Sequence, residues 1–250
     1  MISWFFNVFF YKPLYNGLIF LLYILPSWAD VGIAIVLFTC LVKLALFPLS
    51  QKSIKTQIKM KEVEPEMAAI KEKFKDNKEE QARQMMEIYK NKKINPFSGI
   101  LVLFLQIPII LALYFIFFQG GLPIIDSGML YNFIPKPEFV NMNFLGILDV
   151  SKKSAILAFL AGITQYMQAR LMPSPQKKPG VESTFQDDLA RSMNLQMKYV
   201  FPVIIFMIAW NISGAVALYW ATSNLFMVGQ ELYVRRKFKK DQNNSQPAVI

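Results

Sequence analysis

The stretch Val31-Gly-Ile-Ala-Ile-Val-Leu-Phe-Thr-Cys-Leu-Val-Lys43-Leu-Ala-Leu-Phe-Pro-Leu49 is apolar apart from Thr39, Cys40 and one cation. At about 1.5 Å per residue a helix of this length measures roughly 28 Å, enough to cross a hydrocarbon core of about 30 Å. A charge inside such a span is costly, so it faces protein, water or a partner in place of lipid. Two readings of Lys43 are open. It lies near the end of the span, roughly 10 Å inside, where four methylenes can snorkel the ammonium to the headgroups. Alternatively it sits in a polar cavity and serves a function there. Local chemistry alone does not separate the two.

The rest of the composition fits a polytopic membrane protein. Hydrophobic residues make up 54% of the chain and come in long runs. The formal charge of +10 suits anionic headgroups, ribosomal RNA or acidic proteins, and is also the default outcome of cytoplasmic loop bias. Cys40 is the single cysteine, so no intrachain disulfide forms and the fold rests on packing. The chain has no histidine, which removes the commonest general base, the Ser-His and Cys-His nucleophile pairs and metal motifs such as HExxH. There is also no phosphate loop of the GxxxxGK[ST] type. No catalytic residue, metal site or cofactor is therefore assigned, and the chain is read as a non-enzyme.

Residues 1–30 form an N-terminal segment without a basic start or a small-residue cleavage pattern, and it is read as retained. Its apolar part, Leu14 to Leu25, is short for a span and is flanked by Pro13 and Pro26, so it is expected as an interfacial helix. Spans are expected at 31–50, 96–118 and 154–172. The run Tyr199 to Gln230 contains no charge and as one helix would measure about 48 Å. Asn211-Ile212-Ser213-Gly214 interrupts it with turn formers, which divides it into short spans at 199–212 and 213–232.

Charge placement supports five spans. The segment 51–95 carries twelve basic residues, and the loop 173–198, with Arg170 just before it, carries more; both belong on the cytoplasmic side. The tail 233–250, with Arg235, Arg236, Lys237, Lys239 and Lys240, joins them only if the last run is a hairpin. The N-terminus and the loop 119–153 then lie outside, with Lys152 and Lys153 a minor misfit. Within 51–95, Val63, Met67, Ile70 and Phe74 recur at helical spacing; Lys75-Asp76-Asn77-Lys78 breaks the pattern, and Ala82, Met85 and Tyr89 resume it. This reads as an antiparallel helical hairpin. The polar tail beyond Lys240 is expected to be disordered.

Further polar residues sit within the spans: Gln106 before Pro108; Thr164, Gln165 and Gln168; Thr222, Ser223, Asn224 and Gln230. Each alone is adequately read as interhelix glue, and together they could line a wet cavity with Lys43. Spacing cannot show that they converge.

Seven elements occur in order: Asp30 to Ser50, Lys59-Met-Lys-Glu-Val-Glu-Pro-Glu66, Ile88-Tyr89 with Ile94-Asn95-Pro96, Leu105-Gln-Ile-Pro108, Phe144-Leu-Gly146, Gly162-Ile-Thr-Gln-Tyr166, and Leu218-Tyr-Trp-Ala-Thr-Ser-Asn-Leu225 with Gln230. Jointly they resemble the YidC/Oxa1/Alb3 family of membrane protein insertases. The resemblance implies an all-α, polytopic core of five transmembrane helices in a bacterial cell membrane, outside at its N-terminus and cytoplasmic at its C-terminus. It implies a polar groove open to cytoplasm and lipid, and places Lys43, Gln106, Gln165, Trp220 and Asn224 along it. Arginine is usual at the position of Lys43; lysine keeps the charge and loses the five-donor fork. The implied partners are nascent membrane proteins, membrane lipids, a Sec-type channel and, through the basic tail, the ribosome. The large outer domain of many members has no counterpart. A small transporter or channel is the alternative, disfavoured by the lack of an internal repeat; a passive scaffold would leave Lys43 without a role.

Overall fold

The computed structural model describes residues 4–95, 98–118, 122–172 and 185–245. The class is all-α with a two-stranded ribbon at residues 143–149. The chain divides into two compact units, one drawn from residues 1–45 and 105–228 and the other from 46–104 and 229–250.

In the first unit, α1 (Trp4–Phe6), a π-helical turn (Asn7–Tyr11) and α2 (Lys12–Ile24) run on without a break. The expected helix over Leu14 to Leu25 is thus only part of a continuous one, Trp4–Ile24, long and apolar enough to cross a membrane. Pro13 lies inside this continuous helix and does not stop it: it follows directly on the π-helical turn, where the Lys12 N–H bonds back to the Asn7 carbonyl and the regular ladder is already shifted. Length therefore no longer argues for an interfacial placement, but contacts do speak to the helix's surroundings. The Asn16 side chain donates to the Met129 carbonyl (2.9 Å) and accepts from the Tyr131 N–H (2.7 Å). The Asp126 N–H donates to the Tyr15 hydroxyl (2.9 Å), and Lys12 lies over the Tyr131 ring. Helix α2 is pinned to residues 126–131 by its polar side and to α3 (Val31–Ala45) by Gly17, where a Cβ would come within 2.8 Å of the Phe38 ring.

The start of α3 is built by Asp30, which is 3% exposed. One carboxylate oxygen caps the helix by accepting from the Ile33 N–H (2.9 Å), and the other accepts from the Leu145 N–H (2.8 Å). Leu145 belongs to the tight turn between β1 (Asn143–Phe144) and β2 (Leu148–Asp149). Its φ of 53° is unusual for a branched side chain, and Gly146 follows at 71°. The ribbon continues into residues that seat another helix: the Gly214 and Ala215 N–H groups donate to the Lys152 and Val150 carbonyls, at 2.7 and 2.8 Å. Asp30→Ala is expected to cost roughly 1–2 kcal/mol from the lost cap, and more from the orphaned Leu145 N–H. Asp30→Asn keeps one acceptor oxygen and can restore only one of the two bonds, so the melting temperature of the detergent-solubilised protein should fall between those of the alanine variant and the parent. Unchanged melting of the alanine variant would show that the clamp contributes nothing.

Helices α7 (Ser98–Phe118), α8 (Ala155–Leu171), α9 (Phe185–Leu195), a second π-helical turn (Gln196–Val200), α10 (Phe201–Asn211) and α11 (Gly214–Ser245) follow. Gly162 lets α8 and α10 approach closely, since a Cβ there would meet Phe206 and the Pro202 carbonyl at 3.1 and 3.3 Å. Among the described residues, Trp4–Ile24 and Arg191–Asn211 are long and apolar enough to cross a membrane, and Val31–Ala45 with Phe47–Glu62 adds a third candidate if counted as one broken span. Helix length alone thus does not supply five spans. The expected disorder beyond Lys240 does not hold for residues 241–245, where α11 continues to Ser245 because an already nucleated helix propagates even through weak formers, and residues 246–250 lie outside the described residues.

The second unit holds α4 (Phe47–Glu62), α5 (Glu64–Lys73) and α6 (Lys78–Asn91). Val63, Met67 and Ile94 are buried together, with Met60, Met85, Ile88 and Tyr89 packed around them. Asn77 caps α6 through the Glu80 N–H (3.1 Å), and hydrogen bonds from Arg83 and then Gln84 hold the Glu80 carboxyl below its ordinary range. Ala82, expected on the packed face, is exposed; Gln81 is buried in its stead because its amide donates to the Lys71 carbonyl (2.9 Å) at the end of α5. At the far end of α11, Gln230 donates to the Phe47 carbonyl (3.3 Å) and Glu231 pairs with Arg235 (2.6 Å). The expected loop 173–198 falls partly outside the described residues, as do Lys177 and Lys178.

Candidate functional site

Helical spacing brings the polar residues of the first unit together. On α3, Thr39 and Lys43 are four apart and share one face. Thr39 satisfies its hydroxyl on the Ile35 carbonyl (2.6 Å), which leaves Lys43 to find partners on other helices. On α11, Tyr219, Ser223 and Met227 repeat at the same interval, as do Thr164 and Gln168 on α8.

Lys43 is 5% exposed, and its ammonium donates to Gln106 Oε1 (2.8 Å) and meets the Met227 sulfur (3.6 Å). This selects the interior over snorkelling. It also differs from a lysine lining a wet groove: protein meets the side chain on nearly every side. The Gln106 amide donates to the Tyr219 hydroxyl, which is in turn hydrogen-bonded to Ser223. Gln168 Nε2 reaches the same Met227 sulfur from α8 (3.4 Å), and Asn224 Nδ2 donates to Thr164 Oγ1 (3.4 Å). Four helices, α3, α7, α8 and α11, therefore meet through one polar network with α11 in the middle.

Among the described residues Lys43 has no carboxylate partner, and its contacts are an amide oxygen and a thioether, both neutral. A thioether is a weak acceptor. A buried cation held this way is under-compensated and can take an anionic group in exchange for its present partners.

The structure brings together Lys43 and Gln106, and ties Asn224 to Thr164. Gln165 and Trp220 are half-buried and share no hydrogen bond with this network among the described residues. The reason is angular: each follows a network member, Thr164 or Tyr219, by one residue and so points about 100° away around its helix. Tyr219 and Met227 were missed. Their only signal was the interval of four from Ser223. In the tail, Arg235 is half-buried against Glu231, while Arg236, Lys237, Lys239 and Lys240 are exposed.

The family described as "60Kd inner membrane protein" matches residues 23–242, a range that contains every member of the network. The chain belongs to this family, the YidC/Oxa1 family. The membrane protein insertase YidC of Clostridium tetani is 33% identical over 215 residues, covering 85% of each chain. That of Oleidesulfovibrio alaskensis is 33% identical over 94% of this chain and 39% of its own length. That of Francisella tularensis subsp. novicida is 30% identical over 83% of this chain and 33% of its own. This family member therefore spans most of the clostridial relative and less than half of the other two.

Proposed function

We propose that the chain is a membrane protein insertase of the bacterial cell membrane, acting without catalysis on nascent membrane proteins. The observation that carries the reading is the buried Lys43 ammonium, held by neutral acceptors where four helices meet. An acidic residue in the outer segment of a nascent chain exchanges with Gln106 and Met227 at that ammonium. The segment's stay in lipid is thereby shortened, and burial of the following apolar helix supplies the driving force. The names of the relatives favour this over a transporter or channel.

The topology that goes with it has five spans, at 31–50, 96–118, 154–172, 199–212 and 213–232, with the N-terminus outside. The N-terminal helix lies along the outer interface. Its polar attachments to residues 126–131 of the outer loop support this, since Asn16 and Lys12 are then satisfied among polar loop backbone and an aromatic ring. The hairpin 51–95 is a cytoplasmic arm that receives substrates. The exposed cations Arg236, Lys237, Lys239 and Lys240, with Arg235, contact the ribosome, and a Sec-type channel is a further partner.

The test is photocrosslinking from position 43 to a ribosome-bound nascent chain stalled part-way through insertion. Adducts should form at intermediate lengths and disappear once the chain is released and inserted. Absence of adducts at every length, in protein that melts like the parent, would overturn the reading.

A further inference from the structure

The apolar surface between α8 and α10 contains a slot that the polar network does not use. It has a volume of about 410 Å³ and is lined by Phe159, Gly162, Ile163 and Tyr166 of α8 and by Tyr199, Pro202, Val203 and Phe206 facing them. Gly162 shapes it, as the missing side chain opens the floor where α8 meets Pro202 and Phe206. The two ends of the slot differ. Phe159 and Phe206 close one end with hydrocarbon alone. At the other, the Tyr166 and Tyr199 rings lie 6.0 Å apart, and the Arg170 guanidinium stands 5.7 Å from the Tyr166 ring centroid. Arg170 is exposed, one residue before the end of α8.

A hydrocarbon slot that ends in tyrosines and a cation matches one kind of molecule in a membrane: an acyl chain that carries an anionic headgroup. Tyrosine rings favour the headgroup level, and basic pockets between membrane helices on the cytoplasmic side hold anionic lipid. In the proposed orientation Arg170 lies at that side. A guanidinium binds phosphate through paired donors while its plane stays stacked on an aromatic face. We propose that α8 and α10 form a specific site for one anionic phospholipid of the cytoplasmic leaflet, its acyl chain in the slot and its phosphate on Arg170. The site lies on a different surface from the Lys43 network; it does not need the insertase activity, and its assignment to the cytoplasmic leaflet rests on the proposed topology.

The test is native mass spectrometry of the detergent-purified full chain, supplied with equimolar phosphatidylglycerol and phosphatidylcholine of the same acyl composition. The parent should retain one phosphatidylglycerol at least about fivefold over phosphatidylcholine. Arg170→Gln should abolish the preference while leaving residual binding of either lipid. Val203→Trp adds bulk at an exposed lining position, where folding is not at stake, and should lower retention of both lipids together. Equal retention of the two lipids by the parent, or unchanged retention in Val203→Trp, overturns the proposal. Retention of phosphatidylglycerol by Arg170→Gln at the parent's level overturns it as well.

Discussion

Lys43→Met is expected to slow insertion of substrates with acidic outer segments roughly ten- to a hundredfold, while substrates with neutral outer segments change by less than about threefold. A hydrogen bond to a charged group contributes about 1.5–3 kcal/mol, and each 1.4 kcal/mol is a factor of ten. The measurement is protease protection of the outer segment after insertion into proteoliposomes of the purified variant. Methionine keeps the side-chain length and removes the charge. Removing the buried cation ends its desolvation cost but leaves Gln106 Oε1 without its donor, two opposing effects of similar size, so the loss should come with a melting temperature close to the parent's. Lys43→Arg keeps the charge and should recover at least half of the activity. If both substrate classes slowed equally, or neither did, the ammonium would have no role in attracting carboxylates.

In the proposed mechanism that attraction is strong and still reversible. Gln106 Oε1 and the Met227 sulfur satisfy the ammonium in the resting state without neutralising it. An arriving carboxylate trades two neutral contacts for a charge-assisted one, which is a gain. Lysine presents a point charge and not a bidentate fork, so the gain stays small enough for release when the apolar helix moves into lipid. Gln106 is itself held by Tyr219, which leaves its oxygen directed at Lys43.

Much of this was readable in the sequence, and the residues show where reading stops. Lys43 declared itself because a charge in an apolar run has few explanations, and the apolar runs declared the helical class. Tyr219 and Met227 did not, because tyrosine and methionine in a span read as ordinary core. A motif does not fix rotation about a helix axis, so it does not tell that Thr164 and Tyr219, and not Gln165 and Trp220, carry the hydrogen bonds of the network. The ribbon at 143–149 has strands of two residues, too short for any alternation to register. Pro13 has the look of a helix boundary, and nothing in the sequence signals the π-helical turn that lets the helix run through it. Asp30 stood directly before an apolar run, a recognisable cap signal; that its second oxygen reaches residue 145 could be seen only in the fold.

Gly32→Val is expected to lower the stability of the protein by roughly 1–3 kcal/mol, the usual cost of forcing bulk into a packed site. A Cβ at this position would lie within the space of the Phe144 side chain and close to its own Cβ, so rotating the ring away does not relieve the contact. The ribbon must then lift from the start of α3, taking with it the Leu145 N–H that Asp30 binds and the Val150 and Lys152 carbonyls that seat α11. The check is a double-mutant cycle of thermal melting with Gly32→Ala and Phe144→Ala. Removing the ring relieves the two nearest contacts and leaves only the Phe144 Cβ against the added methyl, so Gly32→Ala should cost less in the Phe144→Ala background than alone, a coupling of about 0.5 kcal/mol or more. Additive losses would show that the two residues do not oppose each other. Function offers a second discriminator. Tyr219 lies five residues into α11, so loosening the start of that helix disturbs the whole network and not the charge alone. Gly32→Val should therefore depress insertion of acidic and neutral substrates alike, whereas Lys43→Met separates them. A charge-selective defect in Gly32→Val would mean that the ribbon acts on Lys43 by some route other than the seating of α11.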